Sequence, residues 1–98
     1  MKHIAKYVEQ IKEELDGATD YAERYVYQKS LGDPSARKWQ EFAQDELKHA
    51  MGIHDMAVAE VKRLEGVYEP TVEMREAWEK SHKEYVEQTA KVKMMLAM

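Results

Sequence analysis

The chain has 98 residues and a formal net charge of -4, with 35% charged and 44% hydrophobic residues, 4 Gly, 2 Pro and no Cys. The lack of cysteine excludes disulfides, zinc–thiolate sites and iron–sulfur clusters. The acidic balance gives no electrostatic reason to bind nucleic acid or an anionic membrane, and no stretch approaches the ~18 apolar residues of a membrane span. What remains, rich in Ala, Glu, Lys, Gln and Met, favours long helices in a single domain over residues 1–98. Met1-Lys2-His3-Ile4 opens no apolar segment of signal-peptide type, so a cytoplasmic location is expected.

The first helix is expected over about 2–31. Ile4, Tyr7, Ile11, Ala18, Tyr21 and Tyr25 recur at helical spacing. Gly17 stands alone within the segment, at a cost of ~1 kcal/mol relative to Ala. Leu31-Gly32-Asp33-Pro34 ends it: Gly32 can adopt the left-handed conformation of a helix terminus, and Asp33 can cap the next helix with Pro34 at its first position. The second helix is expected over about 34–65, with Trp39, Phe42, Ile53 and Met56 on its core-facing stripe. Gly66 stops it. Pro70 or Thr71 starts the third, over about 71–97, with Met74, Trp78, Tyr85, Val92 and Met95 or Leu96 on one face. Short turns make successive helices antiparallel neighbours about 40 Å long. Val8, Leu15, Val26, Val58, Val61 and Val86 flank the stripes, so each helix has a second apolar edge, and a homodimer or larger assembly is expected.

Two stripes are broken by ionisable residues. The series Ile11–Ala18–Tyr21 passes through Glu14, and Phe42–Ile53 passes through Glu46 and His49. An inward carboxylate without compensation costs several kcal/mol or takes up a proton; a cation removes the conflict. Glu46 and His49 are three apart and share a helix face. Folding back around Gly32-Asp33 sets Glu14 level with a residue near 51, within about one turn of His49. Mixed oxygen and nitrogen donors suit iron and manganese and also accept zinc. The competing reading is a hydrogen-bonded or salt-bridged network, although Lys48 and Arg24 point off the stripe. One Glu plus one Glu-x-x-His is half of the ligand set of a di-iron carboxylate bundle; two copies of the hairpin about a two-fold axis would supply all of it.

These residues resemble the ferritin-like superfamily. Glu13-Glu14-Leu15-Asp16-Gly17-Ala18-Thr19-Asp20-Tyr21-Ala22-Glu23 is similar to the first helix of rubrerythrin-like proteins, with an iron-binding Glu seven residues before a Tyr. Phe42-Ala43-Gln44-Asp45-Glu46-Leu47-Lys48-His49-Ala50 resembles their second helix. One such hairpin per chain resembles the encapsulated ferritins, which build a di-iron site across a dimer interface. The resemblance covers about residues 10–60. It implies an all-α up-down bundle of three long helices, its ferritin-like hairpin completed into a four-helix core by dimerisation. It further implies Glu14, Glu46 and His49 as metal ligands with Tyr21 beside them, and ferroxidase-type chemistry. Full-length ferritins and rubrerythrins have four core helices; here the fourth is missing, and rubredoxin-type cysteines are absent.

Glu79-Lys80-Ser81-His82 is a further Glu-x-x-His. His82 falls on the Trp78–Tyr85 edge and is a candidate additional ligand, with Glu79 beside it off the stripe; both are more simply read as boundary and solvated residues. His54 lies on a different face from His49, His3 lies near the terminus, and Glu60 is a minor auxiliary candidate. The alternative function is a metal-free helical module whose apolar edges serve oligomerisation or a partner protein.

Overall fold

The computed structural model describes residues 2–98, and they form three helices: α1, Lys2–Ser30; α2, Ala36–Leu64; α3, Val72–Leu96. No strand occurs among the described residues. The helices run up, down and up in a rod of 54 × 17 × 17 Å. The expected boundaries hold to within two residues.

The turns follow from local chemistry. Gly32 has φ 70°. Its N–H donates to Lys29 O at 3.0 Å and that of Asp33 to Gln28 O at 3.0 Å, the paired bonds that satisfy the last carbonyls of a helix closed by a left-handed glycine. The Asp33 carboxylate accepts from Ser35 N–H at 2.8 Å, so Pro34 and Ser35 form a turn and α2 starts at Ala36. At the other end Glu65 (φ -59°, ψ 130°) and Gly66 (φ 76°) form a type II turn closed by Val67 N–H donating to Leu64 O at 3.1 Å. Thr71 caps α3: its hydroxyl accepts from Met74 N–H at 3.2 Å.

The α2 side of the α1–α2 seam is built mainly from alanines, set against larger side chains of α1. On α2, Ala36, Ala43, Ala50 and Ala57 recur every seventh position, all at most 7% exposed, with Leu47 and His54 between them. On α1, Ile4, Ile11, Ala18 and Tyr25 keep the same interval, joined by Leu15 and Ala22. A seven-residue repeat is the pattern of a left-handed coiled-coil seam. This corrects the expected stripe of the second helix. Trp39 and Ile53 are half-buried and Phe42 and Met56 exposed, because the closely approaching backbones admit methyl groups and leave larger side chains at the flank.

α3 leans on α1 more than on α2. Val92, Thr89 and Ser81 are its buried residues. Gln88 Nε2 donates to Thr19 Oγ1 (2.9 Å) and Asp16 Oδ1 (3.2 Å), and Gln40 Nε2 donates to Leu96 O at 3.0 Å. Residues on α1 that touch or line the α3 side include Val8, Ile11, Lys12, Leu15 and Thr19. A second seven-residue series, Tyr7, Glu14, Tyr21 on α1 and Trp39, Glu46, Ile53 on α2, with Phe42, His49 and Met56 beside the latter, runs along the flank of the α1–α2 seam, where Tyr7, Tyr21 and Ile53 pack against the core.

Candidate metal centre

Glu14, Glu46 and His49 lie together on that second face. Each offers one ligand atom, and the three atoms lie within 4.8 Å of one another. His49 Nδ1 is 3.5 Å from Glu14 Oε2. The antiparallel hairpin places Glu14 opposite the Glu46–His49 turn, and the three-residue step brings both α2 groups to the same edge. The group is at the flank of the α1–α2 seam, not inside it: Glu14 and Glu46 are half-buried, whereas the His49 side chain is 60% exposed.

The crowding of two carboxylates in the group is felt at Glu46. The Glu46 carboxyl is held above the usual carboxylate range, first by its hydrogen bond with Glu14, then by partial burial and by the negative charge of Glu14; His49 acts in the opposite sense. Two carboxylates are thus brought together, and among the described residues no Lys or Arg is in ion-pair contact with either. Two ligands on opposite sides of a first-row divalent ion lie about 4.2 Å apart at bond lengths of about 2.1 Å. The spread of up to 4.8 Å in the group is close to that span. Two carboxylates and one imidazole also balance the charge of one divalent cation and leave coordination positions open.

Tyr21, one heptad beyond Glu14, belongs to an aromatic group on the same face. Its ring centroid is 5.8 Å from Trp39 and 5.6 Å from Phe42, and the Arg24 guanidinium lies over Trp39 at 5.0 Å. These spacings are those of favourable tilted pairs and a cation–π contact.

The other candidates fall elsewhere. Glu79 and His82 are exposed, and neither joins the carboxylate–histidine group. Glu60 pairs with Arg63, Oε1 to Nη2 at 2.5 Å, and that guanidinium lowers its pKa. His3 is exposed. His82 Nδ1 instead meets His54 Nε2 at 3.0 Å. His54 is 8% exposed and lies flat on Tyr85, with centroids 3.8 Å apart and planes 2° from parallel. Burial, with the nearby His82, pushes its pKa down; burial pushes the Tyr85 phenol up, with Asp55 adding to it. This imidazole pair joins α2 to α3. The sequence signal for the burial of His54 is its spacing, seven after Leu47 and four after Ala50, which places it on the alanine seam.

No protein-family model, curated protein or solved structure matches this chain, so the site is read from its own residues.

Proposed function

We propose that the chain is a ferritin-like metal-binding protein that holds iron, with manganese or zinc as alternative occupants, and that the bound iron undergoes ferroxidase-type oxidation by O₂ or peroxide. The observation that carries this reading is the convergence of Glu14, Glu46 and His49 on one point from two helices. An all-oxygen and imidazole donor set with open positions suits ions that must meet an oxidant.

The unit of function in this reading is a pair of chains. The ligands share their seven-residue series with Tyr7, Tyr21, Trp39 and Ile53, and Phe42 and Met56 beside them are 39% and 52% exposed. A second hairpin laid on this face would complete a four-helix core and cover those side chains. It would also gather four carboxylates and two imidazoles around two divalent ions, so charge is balanced as the apolar seam closes. The same exposed apolar residues favour a second reading, a metal-free helical module that pairs through this face.

Metal content and association separate the two. Protein purified after growth in iron-supplemented medium should carry close to one ion per chain, and His49→Ala should lose most of it. Phe42→Glu should shift the protein toward monomer in sedimentation and lower its metal content together. Metal-poor protein that still dimerises supports the module and overturns the metal reading; full metal content in His49→Ala overturns the ligand assignment.

A further inference from the structure

Gly17 is in the middle of α1, three residues after Glu14 and four before Tyr21. A glycine in a helix interior costs about 1 kcal/mol relative to alanine. Its backbone does not require glycine, because the positive φ values among the described residues belong to Gly32 and Gly66. What sets Gly17 apart is the space beside it. A Cβ built there would sit 3.3 Å from Glu46 Oε2, 3.6 Å from its Cδ and 3.7 Å from its Cγ. The first distance is tighter than ordinary van der Waals contact, so the carboxylate lies directly against the α1 backbone. Gly52 is the contrast: it lies in α2 under the same helix-propensity penalty, and a Cβ there would meet nothing within 4 Å.

We propose that Gly17 is a positioning residue for the metal centre: a notch in α1 that seats the Glu46 carboxylate beside Glu14. The proposal rests on the metal-binding reading and deepens it. Glu46 projects from α2 yet must share an ion with a carboxylate of α1, so its oxygens have to cross the helix interface at close range. A side chain at position 17 narrows that path. A methyl group there displaces Oε2 by a few tenths of an ångström and so limits where the carboxylate can sit beside Glu14. The notch therefore acts on binding strength and ligand geometry, while its effect on the fold runs the opposite way.

The test compares Gly17→Ala with Gly52→Ala in the full chain, using Mn²⁺ titration by calorimetry and the visible spectrum of the Co²⁺-loaded protein. Gly52→Ala should gain helix stability and keep the parent's Mn²⁺ affinity and Co²⁺ spectrum. Gly17→Ala should keep the parent's helix content and bind Mn²⁺ about ten-fold more weakly, within the range for groups that orient ligands, with an altered Co²⁺ spectrum. Parent-like affinity and spectrum in Gly17→Ala, with a parent that binds both ions, overturn the role of Gly17 and leave the metal reading intact. A parent that binds neither ion overturns both. Equal losses in the two variants assign the effect to helix rigidity and overturn the notch.

Discussion

Replacing Glu46 by Gln keeps the shape of the side chain and removes its charge, and the metal-binding reading gives this variant opposite consequences with and without metal. In metal-free protein at pH 8 the Glu14 and Glu46 carboxylates are within 4.8 Å of each other. Coulomb repulsion at that distance is about 1 kcal/mol at the dielectric of water and about 3.5 kcal/mol at an effective dielectric of 20. Both groups are half-buried beside an exposed histidine, so the lower figure applies. Glu46→Gln should therefore be more stable than the parent in EDTA by about 1 kcal/mol, or roughly 4–8 °C in Tm for a domain of this size. Metal reverses the order. A ligand at 100 times its Kd stabilises the folded state by about 2.7 kcal/mol, and a variant lacking one carboxylate forgoes most of that. The assay is urea unfolding followed by circular dichroism at fixed protein concentration, in EDTA and in excess Mn²⁺. A Glu46→Gln variant less stable than the parent in EDTA would refute the reasoning, because Glu46 would then be a net stabilising partner in a hydrogen-bonded network that needs no cation.

Two further predictions concern the frame that holds the site. Ala50 is fully buried between α1 and α2; Ala50→Leu should overpack the seam and lower stability by about 1–3 kcal/mol, measured as a lower urea midpoint, and an unchanged midpoint would show that the helices are not in close approach there. His54 is buried and its folded pKa lies below the ordinary histidine value. The unfolded chain takes up a proton near pH 6.5 while the folded chain does not. Stability is thus full above that pH and falls as pH drops from about 6.5 toward the folded pKa, by at most about 1.4 kcal/mol per pH unit. His54→Phe should flatten the dependence in that window; an unchanged slope would assign it to other groups.

The helix ends were legible in the sequence because they depend on neighbouring residues alone: Gly32 and Gly66 take positive φ, and Thr71 caps α3. The approach of Glu14 to Glu46 and His49 was legible for a related reason, since a short turn fixes the register of a hairpin and register fixes which residues are level. The face they occupy was not. Hydrophobicity ranks Trp39, Phe42, Ile53 and Met56 above alanine, and so assigns them to the core. A seam between two closely packed helices selects for fit, and Ala36, Ala43, Ala50 and Ala57 fit where larger side chains do not. The bond between His54 and His82 was hidden for a different reason: its partners are 28 residues apart on separate helices, and no local pattern links them.

The displaced stripe also changes what the Glu14, Glu46 and His49 group implies. Had Trp39, Phe42 and Met56 closed α1 against α2, the carboxylates would have lain inside the hairpin and a single chain would have enclosed the ion. With alanines closing that seam, the large apolar residues and the ionisable group are left together on a face that α3 does not reach. Apolar exposure and carboxylate crowding then occur at the same heptad positions. A cation alone relieves the crowding and leaves Phe42 and Met56 in water; a second hairpin alone covers the apolar residues and desolvates two more carboxylates, which raises the electrostatic cost. Each makes the other more favourable, so metal binding and association should be thermodynamically coupled: saturating Mn²⁺ should tighten the dimer by the same factor by which dimerisation tightens Mn²⁺ binding. Sedimentation equilibrium with and without Mn²⁺ measures the first factor and titrations at low and high protein concentration the second. A dimer constant indifferent to metal would show that the site is complete within one chain.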